Sequence, residues 1–295
     1  DAQESRGLGD VYKRQHPLKF EEGVMRQRSL YLFAAVAISA TASVMAQSTT
    51  DEIAKYRQLL ADGNPAELWE MRGEELWRTK AGPKNVSLEQ CDLGKGAGVV
   101  KGAYAELPRY FKDVNKVMDL EQRLIYCRMN LQGLTREQAV KMPFGSTGKP
   151  SDIEPMVAYI TSESRGMKMS VSTAHPEEKR AYEIGKKIFF YRAGSHDFAC
   201  ATCHAVDNQR IRLQDLPNLL NKSNAQAAYG TWPAYRVSQG EVRTMQHRLN
   251  DCFRQQRFPE PLYGSDVITA VTMFLAKSAD AVSYTHLTLP TIYSV

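Results

Sequence analysis

The chain has little cysteine for its length, few histidines and no later apolar run long enough to span a bilayer. It carries five Cys and six His in 295 residues. So few Cys rule out a disulfide-dense scaffold. With no second C-x-x-C and no paired His, a four-ligand zinc knuckle has too few donors. A membrane helix needs about 20 apolar residues. Past the N-terminal region no stretch reaches that length, so no stable span is expected. Basic stretches interleaved with aromatics are also missing, and 38 Lys+Arg against 33 Asp+Glu is only a mild excess. Nucleic acid is therefore not an expected partner. Alternating strand patterns are sparse, which leaves an all-α reading.

Against that sparseness one stretch stands out, Phe198-Ala199-Cys200-Ala201-Thr202-Cys203-His204. It contains C-x-x-C-H, the attachment signature of a c-type haem. Cys200 and Cys203 would hold the macrocycle through thioether bonds, and His204 would supply the proximal imidazole. A thioredoxin-type dithiol needs a βαβ pattern, which is not present. One covalently bound haem c is the expected cofactor.

The N-terminal region reads as targeting rather than fold. Met25 opens a candidate secretory signal with Arg26 and Arg28, an apolar stretch from Leu30 to Ala42, and Val44-Met45-Ala46 before a cleavage point at Gln47. Residues 1–24 and 282–295 resemble translated adaptor DNA and are set aside as non-native tails. An exported chain suits haem c attachment and a compartment where disulfides persist.

Within the remaining chain, landmarks recur in order. Gly73-x-x-Leu76-Trp77 matches Gly185-x-x-Ile188-Phe189. Cys91 follows the first of these helices as Cys200 follows the second. Arg123-Leu124-Ile125-Tyr126-Cys127 matches Arg248-Leu249-Asn250-Asp251-Cys252. Ser151-Asp152-Ile153 and Ser265-Asp266-Val267 each open an apolar helix, with Ser as N-cap. The expected organisation is a tandem duplication, 47–165 and 176–281, joined near Arg165 to His175. A helix with Gly and an aromatic, then C-x-x-C-H, then a terminal helix resembles cytochrome c. Glycine inside a helix marks a close crossing, so Gly185 and Phe189 should lie near Phe274.

The first copy departs where it matters. Cys91-Asp92-Leu93 stands in place of C-x-x-C-H, without a second thiol or a histidine. That copy should be degenerate and haem-free. Cys91 and Cys127 are then expected as a disulfide, with two separate buried thiols as the alternative.

Residues 240–257 read as one amphipathic helix with Val242, Met245, Leu249, Cys252 and Phe253 on its apolar stripe. Arg248 lies one turn before Cys252, and Arg243, Arg254, Arg257 and His247 add charge. Such a field would lower the Cys252 thiol pKa. Cys252 is therefore a candidate iron ligand and nucleophile. Met245, Met273, His196 and His247 are the alternatives for the sixth position, and with Met245 the chain would be a plain electron carrier.

These motifs together, with Gly230-Thr231-Trp232-Pro233 and Phe258-Pro259-Glu260-Pro261-Leu262-Tyr263-Gly264, resemble the SoxA family, subunits of periplasmic SoxAX cytochromes. The resemblance implies L-cysteine S-thiosulfotransferase activity, in which thiosulfate is joined oxidatively to a cysteine of the SoxYZ carrier and electrons leave toward a small SoxX cytochrome. It further implies that Cys252 ligates the active-site haem, can carry an extra sulfur and is catalytic, and that Arg248 lines the thiosulfate site. With C-x-x-C-H in the second copy alone, the chain resembles the single-haem branch. A thiosulfate dehydrogenase forming tetrathionate is the alternative enzyme.

Overall fold

A computed structural model describes residues 63–140, 151–211, 214–236 and 239–280. The expected signal peptide, both tails and the loop at 145–150 lie outside them. The architecture is mostly helical. The first half holds α1 (Ala66–Arg78), the hairpin β1 (Arg109–Phe111) and β2 (Lys116–Met118), then α2 (Leu120–Asn130), α3 (Arg136–Val140) and α4 (Ile153–Ser162). The second half holds α5 (Pro176–Phe190), α6 (Cys200–His204), β3 (Arg210–Ile211), β4 (Gln214–Asp215), α7 (Lys222–Tyr229), β5 (Ala234–Arg236), β6 (Glu241–Arg243), α8 (Met245–Gln255) and α9 (Asp266–Ser278). The three antiparallel hairpins are additions to the all-α expectation.

The interior glycines do what their cost implies. α1 packs on α4, and α5 packs on α9. A Cβ at Gly73 would stand 1.9 Å from the Pro155 carbonyl oxygen, and one at Gly185 would stand 1.9 Å from that of Ala270. Only a residue without a side chain permits such backbone approach. Phe189 packs on Phe274 with the rings tilted and their centroids 5.1 Å apart, as the cytochrome-like pattern predicts. Trp77 and Phe189, each one turn past its glycine, anchor separate hydrophobic clusters, one in each half.

Two local expectations change. Residues 240–257 are not one helix: Glu241–Arg243 pairs with Ala234–Arg236, and α8 starts at Met245. The reason is Thr244, whose extended backbone and side-chain acceptor for His247 N place the N-cap there. The serine caps also differ. In the first half Asp152 is the N-cap, with Ser151 Oγ accepting from Ile153 N at 3.1 Å. Ser265 takes the cap position of α9 without a side-chain bond.

The segment between the halves is packed. Met169 and Val171 are buried in the second cluster. His175 caps α5 through Nδ1 and stacks on Tyr110 of β1 at 3.7 Å.

Candidate functional site

The two halves share more of their local structure than the sequence motifs suggest. From Tyr104 to Cys127 and from Tyr229 to Cys252 the two halves run in register. Both have Tyr, then a cis X-Pro peptide (Leu107-Pro108, Trp232-Pro233), a hairpin, an N-cap (Asp119, Thr244), then the Arg and the Cys. The shared Tyr-x-x-x-Pro-x-Tyr spacing is readable in the sequence and was the missed signal.

The halves diverge at the arginine and the cysteines. Cys127 of α2 is bonded to Cys91, with Cα atoms 5.8 Å apart. Arg123 is buried: its Nε donates to the Asp92 carbonyl at 2.7 Å, Nη1 donates to Asp113 at 2.8 Å, and the guanidinium covers the Phe111 ring. Asp92 also accepts from Gly94 N and Gly96 N, so the segment after Cys91 forms a tight turn instead of a helix.

In the second half the three remaining cysteines are unbonded. α6 begins where the Ala199 N–H donates to Thr202 Oγ1 at 2.9 Å. It presents Cys200, Cys203 and His204 on one turn. A cavity of about 1030 Å³ opens beside it, lined by His204 from α6, Arg248 and Cys252 from α8, and by Leu219, Tyr229 and Leu249. That is the upper end of ligand-sized cavities. Arg236, held over the Trp232 ring at 5.3 Å, lines the same space.

The donor set fits a covalently attached haem. His204 Nδ1 lies 3.1 Å from the Pro217 carbonyl, the bond that fixes a ligating imidazole and leaves Nε2 for the metal. Burial lowers the His204 pKa, and the nearby Arg248 charge adds to this, so the ring is neutral as a ligand must be. Burial raises the Cys200 thiol to about 12 and raises Cys203, so neither is a free thiolate poised for redox exchange.

The expected lowering at Cys252 is overturned. Burial raises its pKa, Arg248 opposes that, and Asp251 adds to it. The other cations are engaged elsewhere. Arg254 pairs with Asp251, and Arg243 pairs with Glu241 at 2.7 Å and meets His247 Nδ1 at 3.1 Å. Burial and the charges of Arg243, Arg254, Arg236 and Arg248 push His247 down to about 3. The arginine field is thus centred on His247 rather than on Cys252. Arg248 faces Asp251 at 3.9 Å.

Of the other candidates, Met273 is fully buried in the core and His196 lies exposed beside Phe198. His247 is buried against Arg243, whereas Met245 lines the cavity. Among the described residues no group of three or more His, Cys, Asp or Glu converges as a metal site, and no helix is long and apolar enough to cross a membrane.

The chain is similar to known proteins over much of its length. Residues 72–169 match the SoxA/TsdA, cytochrome c domain family. The L-cysteine S-thiosulfotransferase subunit SoxA of Hydrogenophilus thermoluteolus is 56% identical over 77% of this chain and 83% of its own length. A subunit of the same name from Hydrogenobacter thermophilus is 31% identical over 81% of this chain and 88% of its own. The crystal structure of SoxXA from P. pantotrophus superposes with a TM-score of 0.62 at 26% identity, covering 77% of this chain and 79% of that one. A c-type cytochrome motif on a duplicated-looking helical frame, and relatives this similar over most of both lengths, have one reading: the chain belongs to the SoxA family of L-cysteine S-thiosulfotransferase subunits, cytochromes c of sulfur oxidation with covalently bound haem c.

Proposed function

We propose that the second half carries the single haem, which Cys200, Cys203 and His204 would hold, and that Cys252 would be a further ligand to it. The supporting observation is that His204 and Cys252 line one cavity from two different helices, with the Arg248 charge acting on both. The first half, a degenerate copy from a tandem duplication, stays haem-free, since its thiols are joined and its arginine is tied to the protein. The repeat units are 47–165 and 176–281.

When bound, the haem supplies a one-electron redox centre and a Lewis-acidic iron. A coordinating metal would hold Cys252 as a thiolate, whereas burial in the protein alone raises its pKa despite Arg248. Arg248 holds thiosulfate by charge-assisted hydrogen bonds to its oxygens. The Cys252 sulfur, or a persulfide on it, forms a sulfur–sulfur bond to thiosulfate, releasing two electrons. Exchange passes the group to a cysteine of the SoxYZ carrier and returns Cys252. A small SoxX cytochrome takes the electrons, and the reaction runs in the periplasm after removal of residues 25–46.

The test is Cys252→Ala. It should abolish conjugation to the carrier, keep covalent haem and lose a low-spin thiolate-type EPR signal. Retained turnover with an unchanged methionine-type signal would move the assignment to Met245 and an electron-carrier role. Tetrathionate as the product without carrier would favour the dehydrogenase.

A further inference from the structure

The two halves meet at the starts of α2 and α8, and the same positions pair there twice. Gln246 Nε2 donates to both Asp119 oxygens, at 2.8 and 2.6 Å. Reciprocally, Glu121, the counterpart of Gln246, bonds Thr244, the counterpart of Asp119. The exchange is symmetric in position and asymmetric in charge: the second half has an amide where the first has a carboxyl.

Behind Glu121 lies a second cavity of about 20 Å³, lined by Tyr104, Asp119, Glu121, Tyr229, Met245 and Thr272, among others. That volume suffices for one water. Thr272 Oγ1 is buried against it with no hydrogen-bond partner, a group that needs one. Tyr229 and Met245 line both cavities, so the small one sits directly behind the wall of the large one. Tyr104, which lines the small cavity, bonds Tyr229, which lines both, side chain to side chain.

We propose that this cavity holds one water and, with Glu121 and Asp119, forms a proton-exchange site whose occupancy follows the electron occupancy of the large cavity. The chemistry calls for such a site. Joining thiosulfate to a thiol forms one sulfur–sulfur bond, breaks one S–H bond and releases one proton with two electrons. An electron held behind Tyr229 and Met245 raises the proton affinity of a carboxylate in a water-poor seam. The seam takes up a proton on reduction and releases it when the electron leaves to the partner cytochrome.

The surroundings suit this. Facing Glu121 are Asp119, Glu154 of α4, Tyr104, Tyr229 and Tyr263, whose Oη donates to Glu121 at 2.7 Å. Burial, then the Asp119 charge, raise Glu121 well above the usual carboxylate range. The nearby cations serve other groups. Arg243 acts on Glu154, Arg136 donates to the Tyr263 carbonyl, and Lys116 pairs with Asp266. Thr269 of α9 bonds Asp119 and Gln122.

The inference rests on the haem occupying the large cavity, so the test uses the purified holoprotein. The haem midpoint potential is titrated from pH 5 to 10, with reduced-minus-oxidised infrared spectra across the same range. The wild type should show a potential that falls as pH rises and a protonated-carboxyl band that changes on reduction. In Glu121→Gln both should vanish. This variant places at 121 the residue the second half already has at the matching position, where it holds the reciprocal bond. A holoprotein whose potential is flat, or whose slope and band survive in Glu121→Gln, overturns the inference and leaves the haem assignment standing. Should the variant not fold, a wild-type infrared spectrum without a redox-sensitive carboxyl band overturns it equally. A protein isolated without covalent haem overturns both readings.

Discussion

The helix after each hairpin begins alike and ends in opposite chemistry. In the first half Asp119 caps α2, Arg123 is folded back onto Asp92, Asp113 and Phe111, and Cys127 is joined to Cys91. In the second half Thr244 caps α8, Arg248 faces a large cavity and Cys252 is unbonded. One scaffold thus yields a closed core and an open site. The difference lies in what the preceding segment offers: a turn clamped by Asp92, or a helical turn bearing two thiols and a histidine. Arg123 has its donors filled by a carbonyl and a close carboxylate, whereas Arg248 meets only Asp251, at 3.9 Å, and keeps donors for an anion.

The comparison can be broken most decisively at the disulfide. Opening it with Cys127→Ser should cost about 3–4 kcal/mol, as expected for a long closed loop, and leave the haem spectrum of the second half unchanged. Urea unfolding read beside visible absorbance checks both; a lost haem spectrum would show that the halves are not chemically separate.

Next come the paired glycines. Gly73→Ala and Gly185→Ala should each destabilise by about 3 kcal/mol, since the added methyl meets a backbone carbonyl and forces the helices apart. Equal losses would confirm equivalent crossings. A tolerant Gly73 would mean that the first half relaxes where the second cannot.

Smaller still is the effect of Arg248→Met on catalysis. Losing a charge-assisted anion contact of about 1.5–3 kcal/mol lowers kcat/KM for thiosulfate by roughly one to two orders of magnitude. Arg123→Met should lower stability instead, with kcat/KM kept. Steady-state kinetics and melting of both variants separate the roles.

The mildest change at neutral pH is His247→Gln, which copies Gln122 into the second half. His247 is held neutral down to about pH 3 in the folded chain. An unfolded histidine takes a proton below about 6.5. Its contribution is therefore present above pH 6.5 and lost as pH falls toward 3. The variant should lose less stability over that window, by up to about 1.4 kcal/mol per pH unit at the steepest. Identical acid titrations would place the acid sensitivity elsewhere.

Much of this was legible in the residues. C-x-x-C-H, the spaced glycines and the two R-L-x-x-C runs carry their meaning in local spacing, and spacing survives without coordinates. The helix starts were less legible. The stripe at 242–253 fits one helix, yet Val242 joins a hairpin, because its strand partner Tyr235 competes for the same backbone groups. Electrostatics is less legible for a related reason. A sequence counts the arginines near Cys252, whereas direction and burial decide which atom they charge.

What the sequence by itself determined is local: two thiols and an imidazole on one turn, and a glycine at each of the two closest helix crossings, α1 on α4 and α5 on α9. Tertiary structure alone decided that His204 and Cys252 share a cavity, that Arg123 is spent while Arg248 is available, and that Asp119 and Glu121 meet Gln246 and Thr244 across a buried seam. Those outcomes depend on contacts between residues far apart in the chain. No local pattern encodes them, since burial and partner geometry set a charged group's chemistry as much as its identity does.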